Sequence, residues 1–326
     1  MSRTMLPAIA AEDEYVTLLK RLEPWLPTVE EVLRRHGLTG ARHALRLGRA
    51  GTYPSVLIGD EHVVKLFGPW WCGAESFEAE TAAYDLLAGV ELPVPSRLGH
   101  GNLEDGWTYL LLEQLRGRDL AARRRRLDRD ALRSLAGWLG RFCRALHSVQ
   151  LPPTGYLGSS WDRFHALVAG RREEVILRRS GPPRLPTYLQ AQLGDWLPPV
   201  NALLATGRPP ALLHGDLHDH HVLGTVEGGA FAPTGVIDFT DALVGDPYYE
   251  IGPLFIHTLR ADPELLVAWL AETELPPAGV LGFPRRALAY TILHEFDPLR
   301  RLVGDLRSLP TLDAVAEKLF ATCAPA

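Results

Sequence analysis

Residues 214–239 read HGDLHDHHVLGTVEGGAFAPTGVIDF, and the fold is decided by how this stretch is read. Two carboxylates, Asp216 and Asp238, each stand just after an apolar run, Ala211-Leu212-Leu213 and Gly235-Val236-Ile237. Between them lie a histidine-rich turn, the apolar pair Val222-Leu223 and a second turn at Gly228-Gly229. Short apolar runs separated by glycine turns predict a loop followed by a β-hairpin, with one carboxylate at each end.

Upstream, the residue that stands out is Lys65. The chain has three lysines, Lys20, Lys65 and Lys318, against 31 arginines, and Lys65 sits inside the apolar run Val63-Val64-Lys65-Leu66-Phe67. A compact ammonium on a flexible stem meets phosphate oxygens in a way that a planar guanidinium does not. The alternative is an edge-strand charge facing water. After Gly73, Phe77, Glu80, Tyr84 and Leu87 fall on one face of a helix that Gly89 ends. A carboxylate on that apolar stripe is costly unless paired, and Lys65 is the expected partner of Glu80.

The remaining chain fills in around these residues. Positions 12–37 predict a helical preface (Val16, Leu19, Leu22, then Val29, Val32, Leu33), broken by Pro24 and Pro27 and closed by Gly37. HALRLG, SVLIG and HVVKLFG predict an antiparallel meander. Leu92-Pro93-Val94-Pro95 leads through a glycine-containing turn to a strand at Tyr109–Glu113, and Leu115-Arg116-Gly117-Arg118 reads as a linker. Asp128 to His147 predicts a long buried helix, with His147 as a cap or core residue. Residues 151–209 form a proline-rich insert around the helix-like RREEVILRR, and a helical region runs from Glu250 to about Lys318.

Composition narrows the function classes. A hydrophobic content of 46% and a charged content of 22% suit a soluble globular protein long enough for two cores. With no span of about 18 apolar residues and only a short N-terminal apolar patch, the expectation is a cytoplasmic chain with no membrane partner. Cys72, Cys143 and Cys323 are widely spaced and read as idle thiols. Residues 1–110 hold 15 acidic and 10 basic residues, 111–210 hold 8 and 17, and 211–326 hold 16 and 7. The run Arg123-Arg124-Arg125-Arg126 lacks interleaved aromatics and reads as a solvated face, so no nucleic-acid partner is expected. The acidic last third, net −9, favours a cationic small-molecule substrate.

In protein kinases the catalytic base lies in H-R-D-L-x-x-x-N and a metal carboxylate in D-F-G one hairpin later, and His214-Gly215-Asp216-Leu217 and Asp238-Phe239 follow that order. The chain resembles the aminoglycoside phosphotransferase family, whose loop reads HGD. Val64 to Gly73 with Glu75-Ser76, GDWLPPVNALLATGRPP and GVIDFTDALVGD are similar to hygromycin B phosphotransferases that act on the 7″-hydroxyl. The resemblance implies an α+β, bilobal, protein-kinase-like fold with a small antiparallel-sheet N-lobe and a larger, mainly helical C-lobe. The implied domains are 1–112 with the preface 1–40, a hinge 113–117, and 118–326. It implies ATP (or GTP) and Mg²⁺ as cofactors and transfer to a hydroxyl of an aminoglycoside, hence antibiotic resistance. Asp216 would be the catalytic carboxylate and Asp238 a metal ligand. Lys65 and Glu80 would serve the phosphates, and Glu113, Gln114 and Leu115 the base. Asp241, Glu295 and Asp297 are candidate substrate acids, and the oligomer is a monomer or dimer.

One position departs from the family. His221 stands where the family has Asn, and an imidazole suits Zn²⁺ or Mn²⁺ better than Mg²⁺. Asp219 or His220 could compensate only with a different loop backbone. Three alternatives stay open: a kinase of the same fold with another acceptor, a nucleotide-binding pseudokinase, to which His221 points, and a metal-dependent oxygenase or hydrolase. The last would use His214 and Asp216 with His257 or His294 as the distal ligand, on a β-barrel.

Overall fold

The computed structural model describes residues 5–38, 44–49, 51–177, 185–204, 207–228 and 230–321. Cys323, Gly229, His43, Arg178-Arg179 and Ala205-Thr206, all used in the sequence reading, lie outside them. The chain forms two units, Met1–Gly117 with Thr234–Asp241, and Arg118–Pro233 with Ala242–Ala326.

The first unit begins with helices α1 (Glu12–Leu18) and α2 (Leu26–Arg35). The break comes at residues 19–22, before both prolines. Pro24 lies in a 3-10 turn and Pro27 in the first turn of α2, where a missing N–H costs no helical bond. Strands β1 (Leu45–Leu47), β2 (Ser55–Ile58), β3 (His62–Phe67), β4 (Arg97–Asn102) and β5 (Thr108–Glu113) form one antiparallel sheet in the order β1-β2-β3-β5-β4. Trp25, Val29 and Val32 bury against Val56, Ile58, Val64, Leu66, Trp107 and Tyr109 of this sheet. Each large apolar side chain so buried stabilises the fold by about 1.5–3 kcal/mol.

The expected glycine turn before Tyr109 is instead β4. Its sequence RLGHGN has little strand propensity, yet both glycines are required by packing. A Cβ on Gly99 would lie 2.2 Å from the His36 ring, and one on Gly101 would lie 2.9 Å from the Tyr109 hydroxyl. His36 Nε2 is 3.1 Å from that hydroxyl, so the bare strand lets α2 dock on the sheet.

Helix α3 (Gly73–Leu87) carries Glu80. It starts close to the end of β3, where a Cβ on Gly73 would lie 2.0 Å from the Gly68 carbonyl oxygen. The segment 234–241 is held in this unit by hydrogen bonds to backbone carbonyls. Val236 N donates to Pro93 O at 2.9 Å and the Thr234 hydroxyl to Arg116 O at 2.5 Å. A Cβ on Gly235 would meet Pro93 O at 2.3 Å, so only glycine permits this approach.

The second unit contains β6 (Arg118–Asp119), α4 (Leu120–Arg123), α5 (Arg129–His147) and α6 (Asp162–Leu177). Asp119 caps α4 at Ala122 N and Asp128 caps α5 at Ala131 N. Residues 171–177 of the RREEVILRR run form the C-terminal part of α6. Strands β7 (Ala211–Leu213) and β10 (Leu243–Gly245) pair antiparallel, and β6, β8 (Val222–Glu227) and β9 (Ala230–Val236) form a small sheet. Helices Pro263–Leu270, Phe283–Leu293 and Leu312–Phe320 complete the unit.

A buried ion pair ties this helical region to the strand end after β10. Arg286 Nη2 lies 2.6 Å from Asp246 Oδ2, which also accepts from the Tyr290 hydroxyl at 2.8 Å. Asp246 Oδ1 caps Tyr248 N, so both carboxylate oxygens are satisfied out of water. Among the described residues no helix is long and apolar enough to cross a membrane.

Candidate active site

The first cluster lies in the first unit. Lys65 sits on β3 between Ser55 of β2 and Leu110 of β5, with apolar neighbours that keep its side chain 8% exposed. Its Nζ is 2.7 Å from Glu80 Oε2 and 2.7 Å from Asp238 Oδ1. The expected pair is thus a triad of one cation and two carboxylates. Burial disfavours the ammonium, but the two carboxylates outweigh it and raise its pKa, so Lys65 stays charged. Burial pushes the Glu80 carboxyl up, while Lys65 pulls it back.

The geometry fixes each partner. Glu80 Oε1 accepts from the Tyr84 hydroxyl and from Phe239 N, both at 3.3 Å. Asp238 has φ 73°, a left-handed conformation that costs a non-glycine residue energy and is concentrated at functional sites. Its side chain is 32% exposed, and the Thr240 hydroxyl lies 2.8 Å from its Oδ1. Asp241 is half-buried one residue later, with Oδ2 3.2 Å from the same hydroxyl. Glu113 accepts from the Ser96 hydroxyl at 2.8 Å, and the amides of Glu113 and Gln114 donate to Ser96 O and Glu61 O.

The second cluster is the loop after β7, in the second unit. His214 is fully buried, and Gly215 has φ 84°. Glu250 Oε1 accepts from the amides of His214 and Gly215, and His294 Nε2 donates to Gly215 O at 3.0 Å. The loop backbone leading into Asp216 is therefore held from two helical segments. Neither His294 nor His257 belongs to the group that could share an ion with Asp216; among the described residues that group is Asp216, His218 and His221.

His221 Nδ1 lies 2.9 Å from Asp216 O, and its ring stacks on His218 at 3.9 Å between centroids. His218 Nε2 is 3.4 Å from Asp216 Oδ2. Burial, then the surrounding imidazoles, lower the His218 pKa to about 2. Asp219 cannot stand in for the missing Asn. It is 1% exposed and ion-paired with Arg260, while its carbonyl accepts from Ala121 N. His220 pairs instead with Asp119 at 3.3 Å.

The remaining candidate acids differ from one another. Glu295 is exposed, whereas Asp297 is 6% exposed at φ 45°, the start of a 3-10 turn.

Glu250 is the site residue that the sequence reading missed. Its carboxyl is fully buried, its Oε2 has no hydrogen-bond partner, and burial raises its pKa from 4.5 to about 7. The folded chain holds this proton more tightly than the unfolded chain does. Its stabilisation is thus complete below about pH 4.5 and is lost as the pH rises through about 7. Glu250→Gln keeps the oxygen acceptor and removes the charge. The buried histidines His147, His218, His257 and His294 titrate alike in both proteins, so the difference between their thermal melts isolates Glu250: it should shift by on the order of 3 kcal/mol in favour of the variant as pH rises. Parallel pH profiles for the two proteins would exclude this role.

A model of the phosphotransferase enzyme family matches residues 54–288. The GDP complex of wild-type aminoglycoside 2'-phosphotransferase-IIIa is 20% identical, covering 91% of this chain and 96% of that one with a TM-score of 0.62. Aminoglycoside phosphotransferase APH(3'')-Id from Streptomyces rimosus, solved with ADP and streptomycin, is 19% identical, covering 84% and 98% with a TM-score of 0.57. At these identities the likeness shows the fold, which is the expected α+β kinase-like one and not the β-barrel of the oxygenase alternative. The lysine-specific demethylase JMJ21 of Arabidopsis thaliana is 22% identical over 270 residues, which is 66% of this chain and 28% of that protein. The chain thus spans little more than a quarter of that relative's length. By the family match over most of its length, the chain belongs to the phosphotransferase enzyme family.

Proposed function

We propose that the protein transfers a phosphoryl group from ATP or GTP to a hydroxyl of a hygromycin-like aminoglycoside, in the cytoplasm, as a resistance enzyme. The observation that carries the reading is the Lys65–Glu80–Asp238 triad, because a buried lysine held by two carboxylates is an arrangement suited to phosphates. An ammonium has three N–H donors, and two are used on Glu80 and Asp238, which leaves one for a phosphate oxygen. Glu80 fixes the rotamer of Lys65. Asp216 accepts the proton of the acceptor hydroxyl or orients that hydroxyl for in-line attack.

The residues fit Mg²⁺ in part. Asp238 offers a hard carboxylate oxygen at a half-exposed position, but the imidazole of His221 is a poor match for this ion. Bound there, the ion would neutralise charge on the transferring phosphoryl group. With the amides of Glu113 and Gln114 bonded to Ser96 O and Glu61 O, the proposed nucleobase contacts are the carbonyls of Glu113 and Gln114 and the backbone at Leu115. Asp241 and Glu295 are the proposed acids for a polycationic acceptor, in keeping with the acidic last third of the chain. Family relatives named for kanamycin and streptomycin complexes support a cationic aminocyclitol.

His221→Asn restores the hard donor and should raise the Mg²⁺-dependent rate by about tenfold, the size that single changes around a metal commonly carry. A fall in rate would mean that the site has adapted to imidazole. Expression in a sensitive bacterium tests the acceptor. Hygromycin B tolerance should rise, whereas unchanged tolerance with intact expression would remove that acceptor and direct a coupled assay to other aminoglycosides and small alcohols.

A further inference from the structure

We propose that Asp216, His218 and His221 form a binding site for a borderline divalent ion of the zinc class, mounted on the catalytic loop itself. The ion site stands on geometry alone; only its effect on turnover rests on the phosphotransferase reading.

The spacing is the first argument. One ligand atom from each of the three residues lies within 4.8 Å of the other two. Ligands about 2.0–2.2 Å from a tetrahedral zinc stand roughly 3.4 Å apart, and His218 Nε2 is already 3.4 Å from Asp216 Oδ2. Two imidazoles and one carboxylate are a donor set that prefers zinc, cobalt or manganese to magnesium, and they leave room for water.

The surrounding contacts orient the ligands. His221 Nδ1–H donates to Asp216 O at 2.9 Å, which places the proton on Nδ1 and the lone pair on Nε2. Backbone carbonyls commonly orient ligating histidines in this way. The two rings stack at 3.9 Å between centroids and 26° between planes, so taking one ion in both ring planes requires a side-chain rotation that opens the stack. His218 Nδ1 accepts from His220 N at 3.1 Å, so taking an ion on Nε2 moves the ring proton to Nδ1 at the expense of that one contact. The Asp219–Arg260 pair and the bond from the Thr258 hydroxyl to Leu217 O anchor the loop between the ligands.

The consequence is inhibition. An ion on Asp216 Oδ2 occupies the carboxylate that the acceptor hydroxyl needs, so zinc and acceptor compete.

The test uses the metal-stripped full chain without nucleotide, titrated with Co²⁺ and then with Zn²⁺ against a chromophoric chelator. One ion per chain with a nitrogen/oxygen Co²⁺ absorption band is expected. His218→Ala and His221→Ala should each weaken Zn²⁺ by about tenfold to a hundredfold, while the exposed His165→Ala should leave it unchanged. Failure to retain an ion, or equal affinity in all variants, overturns the site. Far-UV circular dichroism and the milder His218→Gln guard against an unfolded variant giving the expected loss. In the activity arm, each protein is compared with its own zinc-free rate. Wild type should be inhibited at concentrations at least tenfold lower than His218→Ala, and equal sensitivity would overturn the placement of the ion on Asp216. Stoichiometric zinc binding without phosphotransfer to any acceptor would leave the site standing and remove the functional reading instead.

Discussion

Asp216→Asn should lower turnover by a factor of about 10²–10⁴, the range contributed by a positioned general base, with nucleotide affinity and melting temperature close to wild type. The change keeps the side-chain shape and removes only the charge and basicity. The carboxylate is 16% exposed at the surface of a loop whose backbone is held elsewhere, by Glu250 and His294. Steady-state kinetics and fluorescent-nucleotide titration separate the two effects. Wild-type turnover in the variant would remove Asp216 from the chemistry. A loss accompanied by weaker nucleotide binding and a lower melting temperature would mean that the residue is structural.

Lys65→Ala should have the largest effect on stability, about 3–5 kcal/mol, because it leaves Glu80, 1% exposed, as a buried charge without its cation. Asp238 is the second ligand of the same ammonium, so the two carboxylates are then left to repel each other. Losing the cation raises the Glu80 pKa further. The deficit relative to wild type should therefore shrink as pH falls and Glu80 takes up a proton. The double variant Lys65→Met/Glu80→Met removes both charges and should regain much of the lost stability, as apolar replacements of buried pairs commonly do. Urea midpoints across a pH series measure all three proteins. A stable single variant, or a double variant no better than the single, would show that the ion triad is not what holds this region. Neither variant should turn over nucleotide.

The residues that could be read directly were those whose local chemistry was anomalous. Lys65 was a rare residue type within an apolar strand, and Glu80 was a carboxylate on an apolar helical stripe. Each anomaly pointed to the other because an unpaired buried charge is too costly to keep. The 2.7 Å contact between them follows from that constraint. The hairpin was legible from its turns, whereas the prolines of the preface, read as breaks, mark helix starts.

What escaped the sequence had no local signature. β4 carries two glycines that read as a turn, and their purpose is visible only when His36 and Tyr109 come from elsewhere in the chain to fill the space. Glu250, in a run of Tyr-Tyr-Glu-Ile, has nothing to distinguish it until its oxygen meets the amides of His214 and Gly215, 35 or more residues earlier. Asp246 caps Tyr248 N, but its ion-pair partner Arg286 lies 40 residues away. Arg286 and Tyr290 do fall four apart on one helix face, a spacing that could have drawn attention to them. The histidine cluster was legible as composition only. Which imidazoles share a point with Asp216 depends on the loop backbone, and that selected His218 and His221 over His214 and His220.

The most direct test of the phosphotransferase reading follows a labelled γ-phosphate. The purified chain is incubated with Mg²⁺ and γ-labelled ATP or GTP, with and without hygromycin B or a panel of other aminoglycosides. The account predicts label covalently attached to one acceptor hydroxyl, with the acceptor gaining a single phosphoryl group by mass and the Asp216→Asn protein transferring almost none. Nucleotide that binds but never yields label on any acceptor, in the wild type and in His221→Asn alike, would contradict it.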